Sequence, residues 1–222
     1  MNDHEFYLMQ LADSFFPSGM FGLSGGLESF VKAGRIKNAN DVLRFVRPQI
    51  KYQVIPCDCV VLVQVMRAAK KGDVERAMAA DNRCYSMRLV QEVRTASARS
   101  GRQLLNTLVH MTGDRFAKKF HAKVEAKTSA GTYPACLGVA ASALKIPEAS
   151  ALRMMLYSYC VSVVGSAVRL GIISHVEGQS VLTRLAADVN SARVEAELWQ
   201  LAPLAEIMQM RHEQDESRMF IT

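Results

Sequence analysis

The sequence lacks the signals of a β-sheet. No run alternates Val, Ile or Thr with polar residues, and no Asn-Gly or Asp-Gly pair separates two such runs. Alternation at period two and tight two-residue turns are the usual signature of strands and hairpins. Their absence argues against the all-β classes and predicts a fold built from helices.

Long hydrophobic runs and a disulfide framework are also missing. The uncharged stretch Met154 to Val168 has 15 residues, whereas a bilayer-spanning helix needs roughly 18 to 20. The five cysteines are odd in number, and no basic flank precedes an apolar run at the amino terminus. Neither a disulfide framework nor a signal peptide is therefore indicated. These absences predict a protein without a membrane span in the reducing cytoplasm.

The chain does contain enough apolar material for one core. Half of its 222 residues are hydrophobic and 22% are charged, a balance that is typical of folded globular chains rather than disordered ones. A single domain of this length is common. Residues 1–222 are therefore predicted to form one all-α domain, a compact bundle of about eight to ten helices.

Capping residues and periodic apolar positions predict where these helices lie. Ser, Asp and Asn favour the residue before a helix, Pro favours its first turn, and Gly favours the residue after its end. These signals predict helices from near Ser24, from Asp41 after Asn40, from Pro56 to Gly72, from Asp73 to about Arg99, from Gly101 to Gly113, from Arg115 to Ala126, from Pro147 to about Leu170, and from Glu177 and Val194.

Nucleotide-binding and catalytic motifs are absent. The glycines at 19, 22, 25 and 26 lack the Gly-Lys-Ser/Thr ending of a phosphate-binding loop, and no predicted strand precedes them, as both common nucleotide motifs require. A turn before the helix near Ser24 explains these glycines better. No Ser, His and Asp set and no carboxylate pair can be pinned from the sequence, so it gives no catalytic constellation. A helical enzyme with an unrecognised pocket stays open as an alternative.

Metal-ligand residue types are present, but not at metal-binding spacings. Cys57 and Cys59 are two residues apart, which on a helix turns their side chains about 200° from each other, so the two cannot easily share one ion. The five histidines form no His-x-x-x-His or Glu-x-x-His pair. The cysteines are predicted to be buried small hydrophobic residues. A closed metal site within one chain is therefore unsupported, and any metal site would need a second copy or a partner.

Positive charge is concentrated in the middle of the chain. Between Arg67 and Lys127 there are 14 basic and 6 acidic residues, which gives this third a charge of +8 (14 − 6). A basic stripe follows one face of a predicted helix and consists of Arg115, Lys118, Lys119, Lys123 and Lys127. A solvated helix face explains such a stripe. The alternative function is a basic helical nucleic-acid binder, although no aromatic residue lies within the stripe for base stacking.

The carboxyl-terminal segment combines polar and apolar residues. It is polar from Arg211 to Arg218 and then closes on Met219, Phe220 and Ile221. Polar tails are disordered by default, but guanidinium groups beside apolar anchors are what a segment that orders on a partner needs. Residues 210–222 are therefore predicted to be a partner-ordered tail.

Four segments in combination resemble the UreF family of urease accessory proteins, and the likeness runs from end to end. They are Leu11–Glu28, which reads LADSFFPSGMFGLSGGLE; Tyr133–Gly138; Ala167–Gly171 followed by Glu177-Gly178-Gln179; and Met210-Arg211-His212-Glu213 with Ser217-Arg218-x-Phe220. Two places differ from the family pattern. Gln214, Asp215 and Glu216 replace Thr-Gln-Tyr in the tail, and Pro134 and Ala135 replace a His-Trp pair.

The resemblance implies a function as well as a fold. It implies an all-helical, non-enzymatic chaperone that forms a homodimer, binds the accessory protein UreD/UreH and recruits the GTPase UreG. The resulting complex sits on apo-urease during GTP-dependent nickel insertion. In that scheme nickel is cargo and GTP belongs to UreG, so the chain itself carries no cofactor. Neither a membrane nor a nucleic acid takes part.

The resemblance also implies which residues bind the partners. The tail positions that it marks are expected to order on UreD/UreH and to shape the UreG-docking surface: Arg211, His212, Glu213, Ser217, Arg218 and Phe220. Interior positions with a role in packing or at the complex surface are Arg169, Glu177, Gly178 and Gln179, and Glu28 is expected near the opening helix. No catalytic residue is assigned, and no nickel ligand is carried over because the His-Trp pair is replaced.

Overall fold

Helices account for all the regular secondary structure in residues 3–19, 22–215 and 217–221, which are the residues that the computed structural model describes. Met20, Phe21, Glu216 and Thr222 of the motifs above lie outside them. The helices are α1 Asp3–Ala12, α2 Leu27–Lys32, α3 Ala39–Gln49, α4 Val60–Lys70, α5 Val74–Met87, α6 Gln91–Thr112, α7 Arg115–Glu125, α8 Tyr133–Ala143, α9 Glu148–Arg169, α10 His175–Ser191 and α11 Pro203–His212. A π-helical segment, Ile50–Cys59, joins α3 to α4. The predicted all-α bundle is confirmed.

Several predicted helix starts are confirmed by their caps. The carboxylate of Asp73 accepts a hydrogen bond from Arg76 N at 3.0 Å, and that of Asp114 accepts one from Ala117 N at 2.8 Å. Pro147 precedes α9, and Gly113 ends α6 in the left-handed conformation with φ of 64°. The sequence predicts these helix ends correctly because each capping interaction acts within one helical turn.

Other predicted helix boundaries are wrong. Asn38, not Asn40, caps α3 with its side-chain oxygen. Pro56 opens no helix, because the π-helical segment carries the chain past it without a break. Proline lacks the amide that an α-helical ladder needs, and a wider π turn is one way in which a helix continues around such a residue.

The boundaries around α2, α6, α10 and α11 also differ from the predictions. The helix capped by Asp73 ends at Met87 and a new one begins at Gln91, so Gly101 lies inside α6. The helices predicted from near Ser24, Glu177 and Val194 begin instead at Leu27, His175 and Pro203. Boundaries such as these depend on tertiary contacts as well as on local signals.

The core is centred on α8, which packs between α4 and α6. Every residue of α8 from Tyr133 to Ala141 is buried. A Cβ added at Gly138 would lie only 2.7 Å from Leu62 O, so α8 and α4 approach each other as closely as a glycine allows. The small residues of α8 are thus explained by close helix packing.

A buried carboxylate fixes the loop that leads into α8. Asp81 of α5 is completely buried and accepts hydrogen bonds from the Ser129 hydroxyl at 2.6 Å, Gly131 N at 2.6 Å and Thr132 N at 2.8 Å. The Thr132 hydroxyl donates to the same carboxylate at 2.6 Å. Because buried polar groups are costly unless they are paired, this network holds residues 129–132 in one conformation.

Two helices are long and apolar enough to cross a bilayer, judged by length and composition alone. They are the continuous helix Ala39–Lys70 and α9. Within their most apolar windows 67% and 56% of the residues are buried inside the fold. Buried core helices of soluble proteins are also long and apolar enough to pass this criterion, and these two helices pack mostly inside the fold.

Candidate partner-binding surface

A double glycine lets α11 lie directly against the start of α2. Gly25 and Gly26 have φ of 64° and 90°, a region that glycine adopts without a steric penalty. The Gln209 side-chain amide donates a hydrogen bond to Gly25 O at 3.1 Å, and a Cβ at Gly26 would lie 2.9 Å from Gln209 Cγ. These glycines therefore form the turn that the sequence predicted, and they also admit a side chain of α11.

The second residue of α2, Glu28, is the anchor of the carboxyl-terminal tail. Its carboxylate is only 3% exposed and accepts hydrogen bonds from Met219 N at 3.0 Å and Phe220 N at 3.1 Å. His212 Nε2 and Lys32 Nζ each lie 3.2 Å from it. A single buried carboxylate thus binds the end of the tail, the end of α11 and its own helix.

His212, the last residue of α11, links two acidic side chains. It is completely buried, with Nδ1 2.8 Å from Glu92 Oε2 and Nε2 3.2 Å from Glu28 Oε2. The ring therefore joins the end of α11 to the carboxylates of α2 and α6.

The start of α6 completes this charge network. Arg218 forms a short ion pair with the carboxylate of Glu92. The Glu92 backbone N donates to Glu213 Oε1 at 2.7 Å. An acidic side chain at this position satisfies a free amide of the first helical turn and complements the positive end of the helix dipole.

The aromatic anchor of the tail is buried under α9. Phe220 is 6% exposed, and the Arg169 guanidinium carbon lies 4.5 Å from its ring centroid, a cation–π geometry. Arg169 also donates to Gly165 O at 3.2 Å and to the Ser166 hydroxyl at 3.1 Å. Burial lowers the pKa of Arg169. These contacts hold the guanidinium over the ring of Phe220.

Six of the eleven residues that the resemblance marks thus come together in one place. We call them the tail cluster: Glu28, Arg169, His212, Glu213, Arg218 and Phe220. Of the others, Ser217 contributes its backbone carbonyl, which accepts from Lys32 Nζ at 2.5 Å, and Arg211 is exposed. Both neighbour the tail cluster in the chain and extend its surface.

Glu177 and Gln179 lie elsewhere, at the start of α10. Glu177 forms a capping box with Ser174, in which Ser174 N donates to its carboxylate at 2.8 Å and Glu177 N donates to the Ser174 hydroxyl at 3.2 Å. Those hydrogen bonds lower the pKa of Glu177. Gly178 packs against α9, where its Cβ would lie 3.2 Å from Val164, and Gln179 is exposed. The Glu177-Gly178-Gln179 motif therefore stabilises the start of α10 and allows it to pack against α9.

Sequence reasoning missed three members of the surrounding network. They are Glu92, Lys32 and Asp215, the last of which pairs with Lys32 at 3.1 Å. Each pairs with a residue more than 100 positions away in the chain. Glu92 by itself reads as an ordinary acidic residue in the first turn of a helix, so no local pattern could have identified it.

The tail cluster makes a pH-dependent contribution to stability. Burial alone would raise the pKa of Glu28, but hydrogen bonds from Met219, His212, Phe220 and Lys32 outweigh it and hold that pKa below the ordinary value of 4.5. A lowered folded-state pKa gives stability that is fully present above the unfolded value and lost as the pH falls through the folded one. We expect the melting temperature to fall on acidification below about pH 4.5, with a smaller fall in Glu28→Gln. Identical acid profiles for the two proteins, measured by circular dichroism, would contradict this assignment.

The outer side of α11 is apolar although it faces solvent. Its inner side buries Ala205, Met208 and His212. The exposed side carries large apolar residues, of which Leu204, Ile207 and Met210 are 48%, 50% and 41% exposed. Leu201 before the helix and Met219 in the tail are each 62% exposed. Contiguous exposed apolar residues of this kind mark interaction sites in soluble proteins.

The basic stripe of α7 forms no such surface. Arg115, Lys118, Lys119 and Lys127 are exposed, and Lys123 pairs with Glu75 at 3.0 Å. The inner side of this helix packs Ala117, Phe120 and Val124 into the core. Four stripe residues therefore lie on the solvated side of this amphipathic helix, and Lys127 follows its end at Glu125.

Comparison with known proteins identifies the family. The family model of UreF matches residues 36–186, which is more than half of the chain. The chain belongs to the UreF family. Its resemblance to UreF, inferred from the four segments, is thus confirmed.

Curated relatives extend the match to both ends. A urease accessory protein UreF of Trichodesmium erythraeum is 29% identical over 96% of this chain and 94% of its own length. Those of Photorhabdus laumondii and Actinobacillus pleuropneumoniae are 27% and 28% identical, over 96% and 97% of both chains. The UreF relatives are thus named as accessory proteins of urease, and their alignments cover nearly the whole chain, including most of both termini.

Proposed function

We propose that this UreF-family chain is an adaptor in urease maturation. It binds a UreD/UreH-type accessory protein, the complex recruits the GTPase UreG, and the assembly delivers nickel to apo-urease in a GTP-dependent step in the cytoplasm. The chain is not an enzyme and holds no cofactor for this role, since nickel is cargo and GTP belongs to UreG. The observation that carries the proposal is the exposed apolar side of α11, which adjoins the tail cluster.

The tail cluster supports this role by fixing the docking surface in advance. His212 and Phe220 are buried against other helices of the chain itself. The surface of α11 and the tail is therefore preformed in this proposal, whereas the sequence predicted a tail that orders on its partner. A preformed surface loses less conformational entropy when a partner binds. Exposed Arg211 adds a guanidinium that can pair with a partner carboxylate at the edge of the apolar patch.

Restoration of urease activity tests the proposal. In a strain that carries the urease operon of the source organism but lacks this gene, we expect the wild-type chain to restore urease activity. Ile207 is 50% exposed and lies outside the hydrophobic core cluster, so Ile207→Asp places a charge in the exposed patch and should abolish activation. Val176→Asp is the matched control, because Val176 is 80% exposed and lies at the start of α10. Equal activation by Ile207→Asp and the wild type would refute the role of α11.

A second apolar surface supports the homodimer. A groove of about 600 Å³ lies between α1, α9 and α10 and includes Met9, Tyr157 and Leu182. Met9 and Tyr157 are 55% and 48% exposed, and Phe6 of α1 is 53% exposed. None of the tail cluster lines this groove. A self-complementary apolar patch is what a two-fold dimer requires, so we assign the groove to a second copy of the chain.

Light scattering tests the dimer. The wild-type chain should elute with the mass of two copies, and Tyr157→Asp should reduce it to one, because a charge would be buried without a partner at the interface. Val176→Asp again serves as the control and should stay dimeric. A monomeric wild type, or a dimeric Tyr157→Asp, would contradict the assignment of this groove.

A further inference from the structure

Two cysteines and an aspartate from different helices meet inside the fold. Cys57 and Asp58 lie in the π-helical segment and Cys84 lies in α5. Their ligand atoms, two sulfurs and a carboxylate oxygen, all lie within 4.8 Å of one another. The two cysteines are 0% and 1% exposed. Across the described stretches 3–19, 22–215 and 217–221, no other group of three potential ligands is this close.

The arrangement has nearly the dimensions of a tetrahedral metal site. Zinc–sulfur bonds of about 2.3 Å place two thiolates of one tetrahedral ion about 3.8 Å apart. The sulfurs of Cys57 and Cys84 lie within 4.8 Å of each other, at most about an ångström beyond that separation. Closing the remaining gap requires side-chain movements of about an ångström. Cys59 is not a member of this group, in keeping with its spacing from Cys57.

Arg88 orients the carboxylate and balances the charge. It is buried and forms a short ion pair with Asp58 Oδ1. A carboxylate has two oxygens, so one can pair with Arg88 while the other binds an ion. Metal-binding carboxylates are commonly oriented by such outer partners. Two thiolates and one carboxylate carry three negative charges, which Arg88 and a divalent ion neutralise, so the occupied site is electrically neutral in the interior.

A cavity adjoins the carboxylate and provides room for a further ligand. It has a volume of about 100 Å³ and is lined in part by Asp58, Arg88, Tyr159 and Gln209. Zinc sites with three protein ligands take a fourth from water or another molecule. The cavity lies on the Asp58 side of the group, where that ligand would enter.

We propose that Cys57, Asp58 and Cys84 bind a divalent ion of the zinc type. On binding, each thiol gives up its proton to solvent and forms a sulfur–metal bond, while Arg88 stays paired with Asp58. Thiolate ligands in a tetrahedral arrangement favour Zn²⁺, whereas Ni²⁺ in nitrogen and oxygen sites favours square-planar geometry. The proposal is independent of the adaptor function and assigns a bound ion to the chain itself.

Cobalt substitution tests the site in the full-length, metal-free, reduced protein. Co²⁺ should produce an ultraviolet sulfur-to-cobalt charge-transfer band and strong visible bands of tetrahedral cobalt, which saturate at one ion per chain. Adding Zn²⁺ should abolish these bands. Cys57→Ser and Cys84→Ser should lose the charge-transfer intensity, and Cys136→Ser and Cys160→Ser, which alter buried cysteines outside the group, should keep it.

Three results would overturn the proposal. They are the absence of a charge-transfer band in the reduced wild type, an unchanged band in Cys84→Ser, and displacement of zinc by an equal concentration of Ni²⁺. Far-ultraviolet circular dichroism of each variant shows whether it is folded. A rise in the wild-type melting temperature with Zn²⁺ that Cys136→Ser shares and Cys84→Ser lacks supports the site independently of the spectra.

Discussion

Gly101→Ala is expected to destabilise the protein by about 3 kcal/mol, at the upper end of the range for overpacked cores. A Cβ at position 101 would lie 2.2 Å from Gly131 O, 2.6 Å from Thr132 C and 2.7 Å from Thr132 O. All three are backbone atoms. They cannot move aside easily, because Asp81 holds residues 131 and 132 by hydrogen bonds of 2.6 and 2.8 Å.

A second helical glycine supplies the matched control. Gly165 lies inside α9, and apart from its chain neighbours and the local helix backbone no described atom lies within 4 Å of a Cβ built on it. Because alanine favours the helix over glycine by about 1 kcal/mol, Gly165→Ala should leave stability unchanged or raise it. Urea unfolding measures both variants. Destabilisations of equal size would show that the close approach at Gly101 is not what makes it intolerant.

The second large effect is expected at the anchor of the tail. Glu28→Ala should destabilise the protein by about 3 kcal/mol, because it leaves several buried hydrogen-bond donors without their acceptor. The variant removes the acceptor for Met219 N and Phe220 N and one of the two carboxylates beside buried His212. The tail should then detach, and the amide hydrogens of residues 219 and 220 should exchange faster.

Glu177→Ala is the control for this experiment. Glu177 belongs to a family-like motif as Glu28 does, but it is exposed and forms only the capping box of α10. Loss of such a cap costs about 1 kcal/mol. Hydrogen exchange followed by mass spectrometry should therefore show faster exchange in the tail of Glu28→Ala alone. Full protection of residues 217–221 in Glu28→Ala would contradict the anchoring role of this carboxylate.

The sequence predicted the fold class and the helices whose signals are local. Asp73, Asp114 and Pro147 mark helix starts within a single turn, and the structure confirms each. The helix start predicted at Pro56 is wrong because a π-helical segment accommodates this proline inside a continuous helix. That segment depends on the helix continuing on both sides of Pro56. Gly101 was likewise predicted to separate two helices. The backbone atoms that require a glycine there belong to a loop 30 residues further along the chain, so no local pattern indicates them.

The candidate site was predicted only in part, for the same physical reason. The resemblance marked the tail residues and Glu28, but the contacts that unite them span nearly the whole chain, as between Glu28 and His212. Glu92 and Lys32 carry no motif and acquire their roles through folding alone. The pairing of Cys57 with Cys84 is equally invisible to a search for closely spaced cysteines.

Direct binding to a UreD/UreH-type protein is the measurement that tests the adaptor function most closely. The partner from the same operon would be titrated by calorimetry into purified wild type, Ile207→Asp and Val176→Asp. The adaptor function predicts that the wild type and Val176→Asp bind with the same affinity. It predicts that Ile207→Asp loses roughly 30-fold or more, as at an interface hot spot. Equal affinity for all three proteins, or no binding by the wild type, would contradict it.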